Sequence, residues 1–319
     1  MSKYRTRLPQ LQDRAVFMTD GGLETTLIFH DKIELPYFAA FHLLQEKAGT
    51  AVLRRYYDRY AKMAIEQRAG LVLESPTWRA NSEWAAKLGY TSVELADANR
   101  RAIGLMLEIR AKHETSASRM VISGNIGPRG DGYKADKRMT MSEAQAYHAE
   151  QIGVFAQTDA DLVAAFTMNY VEEAIGVVRA AKAHAMPVVI SFTLETDGRL
   201  PSGDSLTQAI ARTDAETFGY PAYYMINCAH PTHFDSVLQD DSLLQRIRGL
   251  RTNASRRSHA ELDESVDLDA GDPIELGHAH VQLYAQLPKL SVVGGCCGTD
   301  HRHVQAIVEA ISAREKSDA

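Results

Sequence analysis

The sequence predicts an α/β protein built as a single closed (β/α)8, or TIM, barrel, and three observations predict it. Eight short apolar runs of β character recur along the 319 residues. Segments with helical periodicity lie between them. No linker or shift in composition divides the chain, which points to one domain spanning residues 1–319.

The runs are 15–19 (AVFMT), 71–75 (LVLES), 120–124 (MVISG), 161–166 (DLVAAF), 187–193 (PVVISFT), 222–227 (AYYMIN), 249–253 (GLRTN) and 290–294 (LSVVG). Most are continuous apolar stretches, as parallel strands buried on both faces require. In residues 50–67, Leu53, Tyr57, Tyr60 and Ala64 recur at spacings of three and four, while Arg54, Arg55, Asp58 and Arg59 occupy other faces. Thr140, followed three residues later by Glu143, is a capping-box start for a helix through 140–157. Residues 170–186 and 300–316 continue the helical pattern. An open doubly wound sheet is the alternative; the count of eight strands and the absence of a linker favour the closed barrel. Residues 255–273 break the alternation, being polar, acidic and weakly periodic. They read as a solvated loop or as a lid over the carboxyl-terminal rim.

Composition narrows the function. A formal charge of −6, spread along the chain, provides no clustered basic face for nucleic acid. No apolar run approaches the roughly 20 residues of a membrane span. The basic start MSKYRTRLPQLQDR lacks the apolar stretch of a secretory signal. Three cysteines cannot all pair within one chain, and the expectation is a cytoplasmic protein with reduced thiols acting on small molecules.

Those cysteines are placed where barrel enzymes do chemistry. Cys228 ends the sixth strand, and Cys296 and Cys297 follow the eighth after Gly294 and Gly295. The glycine pair permits a tight turn that could aim adjacent side chains at one point, which a regular strand cannot do. Three converging thiolates suit Zn²⁺ with one position left open for substrate. His230, His278, His280, His301 and His303 are candidates for a fourth ligand, although none sits at a matching strand end. Three unrelated buried thiols, or a bond between the two adjacent cysteines, are the alternatives.

The motifs TDGGLETTL (19–27), ESPTWRAN (74–81), SGNIGPRGDGY (123–133), PVVISFTLETDGRLPSG (187–203), INC (226–228) and VVGGCCGT (292–299) resemble the homocysteine S-methyltransferase family. The resemblance covers nearly the whole chain. It implies a zinc-dependent barrel enzyme with Cys228, Cys296 and Cys297 as metal ligands and the acceptor sulfur in the open position. It further implies that Asp20 holds the substrate's amino group, that Gly21 and Gly22 offer backbone N–H groups to its carboxylate, and that Ser75 lies nearby. Asn227 supports the centre, and Glu24 is a first-turn acid. Sulfonium or ammonium donors are implied, with S-methylmethionine or S-adenosylmethionine ahead of betaine. The compact chain implies a stand-alone enzyme that does not use cobalamin.

One position departs from the family. Where members carry Glu-Thr at the end of the fourth strand, this chain has Phe166 and Thr167. The departure leaves a different thiol or selenol acceptor open beside homocysteine. A non-catalytic zinc-binding or thiol-sensor barrel is the reading from another class.

Overall fold

The computed structural model describes residues 2–12, 16–238, 244–265 and 267–317. Eight parallel strands close into a barrel in sequence order. They are β1 (Phe17–Met18), β2 (Gly70–Glu74), β3 (Met120–Ile126), β4 (Leu162–Met168), β5 (Val188–Thr193), β6 (Tyr223–Asn227), β7 (Ile247–Thr252) and β8 (Val292–Gly295). Closure comes from β1 pairing with β8, Phe17 against Val292 and Met18 against Val293. Each strand contains part of a predicted run; Ala15, at the start of the first run, lies outside the described residues.

Alternation along the strands separates two cores. Val72, Val121, Leu162, Ala164, Val189, Met225 and Val292 fill the barrel interior, with Leu8 among them from the amino-terminal segment. Leu71, Leu73, Val163, Ala165, Ile190 and Ile226 pack outward against the helices. Interior space is tight, so β7 carries Gly249, where any Cβ would run into the Met225 side chain.

The expected helices form at Lys47–Glu66, Met141–Ala156, Val171–Ala183 and His301–Ser317. The capping box of Thr140 and Glu143 is present. Ser92–His113, Leu206–Thr217 and Pro273–Gln286 are further helices of the outer layer. After β6, the described chain turns through short 3₁₀ segments, Pro231–His233 and Asp235–Val237. No helix among the described residues is long and apolar enough to cross a membrane.

Two local distortions shape the carboxyl-terminal rim. The β4–β5 register shifts between Ala165 and Met168, and Thr167 within that bulge has φ +61°. A bulge re-aims consecutive side chains, so both Phe166 and Thr167 reach the same cavity. Cys228, just past β6, has φ +53°, which turns the chain sharply at the strand end.

Candidate active site and metal centre

The rim cavity has a volume of 390 Å³ and is bordered by all three cysteines. The backbone around them is closely held. Cys228 N–H donates to Arg251 O (3.0 Å), and Asn253 Nδ2 donates to Cys228 O (3.1 Å). Cys296 N–H donates to Thr252 O (2.7 Å), and Ala254 N–H to Cys297 O (3.1 Å). The end of β7 and the loop after it thus tie the two cysteine segments together. Gly294 and Gly295 are required by close approach: a Cβ on either would meet the hydroxyl of Thr19 or Thr299. The positive φ of this turn falls instead at Gly298 (φ +79°).

The three Sγ atoms lie within 4.8 Å of one another, and they form the only convergent metal-competent group found among the described residues. None of the five candidate histidines contributes to it. Cys228 and Cys296 are joined as a disulfide with Cα atoms 5.4 Å apart, and Cys297 is free. The ends of β6 and β8 bring two of the three sulfurs into direct contact. Once reduced, the donor set fits Zn²⁺: sulfurs about 2.3 Å from a tetrahedral ion stand about 3.8 Å apart, within the observed envelope. Burial pushes the Cys297 thiol pKa up, with the Tyr133 hydroxyl 3.6 Å away.

Asn227 links this centre to the β4 bulge. Its Oδ1 accepts from Thr167 N–H (3.0 Å) and Ser191 Oγ (2.6 Å). Its Nδ2 donates to Thr167 Oγ1 (3.0 Å) and approaches Cys228 Sγ (3.2 Å). One buried amide therefore satisfies the irregular backbone at Thr167 and orients a sulfur.

The surroundings of Asp20 are dominated by a residue the sequence reading did not single out. Arg251, on β7, donates from Nη2 to Asp20 Oδ1 (2.8 Å) and Gly21 O (2.9 Å), and from Nε to Gly295 O (2.9 Å). Its Nη1 pairs with Glu74 Oε2 at the end of β2. Its guanidinium carbon lies 5.2 Å from the centre of the Phe166 ring. Burial raises the Asp20 carboxyl pKa, and Arg251 opposes that rise. Asp20 thus already has an internal cation.

Gly22 N–H donates to Thr299 O and Oγ1, both at 3.1 Å. A Cβ on Gly21 would meet the Tyr60 hydroxyl and Thr299 O, so this glycine is packed between neighbours. Ser75 lines the cavity; its Oγ accepts from Asn125 N–H (3.0 Å) and sits 2.7 Å from Thr77 Oγ1.

Other lining groups were equally hard to find in sequence. Glu24 faces the cavity, and burial with the Asp20 charge nearby lifts its carboxyl pKa to about 7. Arg79 stacks over Trp78 (4.0 Å) and Trp84 (3.8 Å), and burial lowers its pKa to about 10. His259, from within 255–273, packs its ring against Tyr133 with centroids 4.1 Å apart, and its Nε2 lies 2.5 Å from Cys228 O. Ser255, Leu262 and Asp267 of that stretch also line the cavity, so the acidic segment borders the site.

A parallel barrel with three cysteines converging over a rim cavity belongs to the class of barrel enzymes that work from the carboxyl-terminal ends of their strands. Comparison with known proteins makes the assignment specific. Residues 17–311 match the homocysteine S-methyltransferase family. The chain belongs to that family and is a methyltransferase. Homocysteine S-methyltransferase 4 of Zea mays is 23% identical across 94% of this chain and 91% of the maize protein. The homocysteine methyltransferase MmuM of Escherichia coli has the same fold. Its oxidized form superposes with a TM-score of 0.75 at 19% identity, covering 98% of this chain and 100% of that one. Its metallated form gives 0.74 at 18% identity, with the same coverage.

Proposed function

We propose that this enzyme is a zinc-dependent S-methyltransferase that moves a methyl group from a sulfonium or ammonium donor to the sulfur of homocysteine or a related thiol. S-methylmethionine or S-adenosylmethionine is the first choice of donor and betaine the second. The observation that carries the reading is the convergence of Cys228, Cys296 and Cys297 at the cavity. Those residues would hold the ion, and bound Zn²⁺ would keep an acceptor sulfur deprotonated, where a free thiol of pKa about 8.5 is only about 3% thiolate at pH 7.

The chain's own residues account for the remaining requirements. Asn227 keeps Cys228 and Thr167 in register across the cavity. Phe166, Trp78 and Tyr133 provide aromatic surface for a donor whose positive charge is lost as its methyl leaves. A cytoplasmic setting suits the centre, because its cysteines must be reduced to bind metal. Residues 1–319 form one domain in this reading. A second reading, transfer to a different thiol or selenol, is favoured by the ion pair between Asp20 and Arg251, which occupies the acid otherwise available for an acceptor ammonium.

The test is a product assay. Reduced, zinc-loaded protein is incubated with each donor and a panel of thiols, and products are read by mass. Methylated thiol from a sulfonium or ammonium donor is the expected result. Stoichiometric zinc without methylation of any thiol would overturn the proposal in favour of a binding or sensing barrel.

A further inference from the structure

Among the charged residues lining the rim cavity, Glu24, Arg79, Asp131 and Asp267 make no ion pair among the described residues, and Arg79 is the one cation of the four. Glu24 borders the cavity and makes no ion pair among the described residues. Arg79 is only 7% exposed; its Nη1 donates to Gly130 O (3.2 Å), while its Nε–H has no partner. No carboxylate of a described residue pairs with it. Each of the two acts electrostatically on the other without touching it. By contrast, Asp20 and Glu74 share the Arg251 guanidinium.

A buried charge without a partner is costly, and opposite charges unpaired in one cavity suit a ligand that carries both. We infer that Glu24 and Arg79 recognise an α-amino-acid zwitterion, Glu24 taking the ammonium and Arg79 the carboxylate. The planar guanidinium is held by the indole rings of Trp78 and Trp84, so little freedom is lost when it binds an anion. Amino-acid recognition in this chain thereby draws on Glu24 and Arg79 instead of position 166, where the ring of Phe166 accepts no such bond, while Asp20 and Glu74 are tied to one shared guanidinium. The inference rests on the methyl-transfer reading only for which ligand carries the zwitterion: the acceptor or an amino-acid sulfonium donor.

The test is calorimetric binding to reduced, metal-free protein, which needs no turnover. The ligands are methionine, S-methylmethionine, 4-(methylthio)butanoate, which lacks the ammonium, and 3-(methylthio)propylamine, which lacks the carboxylate. Wild type should bind methionine or S-methylmethionine at least about ten-fold more tightly than either truncated ligand. Preference for methionine assigns the site to the acceptor side, and preference for S-methylmethionine assigns it to the donor. Glu24→Gln should erase the advantage over the butanoate. Arg79→Met should erase the advantage over the amine. Comparing ligands on wild type keeps the test decisive even if a variant fails to fold. Equal affinities across the four ligands, or no binding of either amino acid up to about 10 mM, overturns the inference. So does loss of the ammonium preference in Asp20→Asn with its retention in Glu24→Gln. Selective binding without methylation of any thiol would overturn the proposed reaction and leave this inference standing.

Discussion

Cys228→Ser, Cys296→Ser and Cys297→Ser are each expected to abolish methyl transfer and to weaken zinc binding by more than about 100-fold, while the barrel stays folded. Loss of a group that merely supports a metal ligand costs about 10–100-fold, and loss of the ligand costs more. Serine cannot substitute, because its hydroxyl is not ionised near neutral pH. The fold should survive because interior and outer cores are built from residues such as Val72, Leu162, Val189, Ile190 and Ile226, none of which depends on the cysteines. Zinc content after reduction, turnover and a thermal melt check the three parts of the claim. A variant that retains full zinc and normal turnover would remove that cysteine from the ligand set. Unfolding of all three would make the centre structural.

Arg251→Leu should destabilise the protein by about 3–5 kcal/mol, the cost of leaving a buried ion pair without one partner. Asp20 and Glu74 are almost entirely buried and would lose their shared cation. The pH dependence follows from the direction of the Asp20 shift, which burial raises and Arg251 opposes. Without Arg251, the Asp20 carboxyl titrates above its unfolded value near pH 4, so the folded variant binds more protons than its unfolded chain in the window above that value. Its stability therefore falls as pH rises through the window, and its deficit against wild type shrinks in acid. Denaturant unfolding at a series of pH values measures this. A deficit below about 1 kcal/mol, or one independent of pH, would contradict the assignment of Arg251 as the cation holding these two acids.

The parts legible in the sequence share a physical cause. Strands buried on both faces must be continuous apolar runs, so all eight were visible, with ends displaced by a few residues. β4 extends to Met168 because a bulge absorbs Thr167, and no local pattern signals a register shift. The cysteines were legible because three in 319 residues, all at strand ends and two of them adjacent, form an unusual arrangement. The direct contact between Cys228 and Cys296 was not, since it exists only once β6 and β8 flank β7.

The charged groups of the cavity show the opposite case. Arg251 is one of two arginines in a short strand, and Glu74 is the last residue of another. Their meeting with Asp20 requires β1, β2 and β7 to converge at one rim. Glu24 looks like an ordinary first-turn acid until its side chain is placed in the cavity. Arg79 stands in a quoted motif, yet its burial between two tryptophans with Nε–H unpartnered follows only from the packing. Phe166 was visible as a departure, but its neighbour Arg251 was not, and the pair changes what the departure means for Asp20.

The central claim is that the three cysteines hold a zinc ion with one position open to the acceptor sulfur. The measurement that tests it most directly is zinc K-edge X-ray absorption of the reduced, zinc-loaded protein, with and without homocysteine and the other thiols of the panel. The prediction is a rise from three to four sulfur neighbours at about 2.3 Å when an accepted thiol is added. Coordination that stays unchanged with every thiol would contradict the account and make the centre a closed structural site.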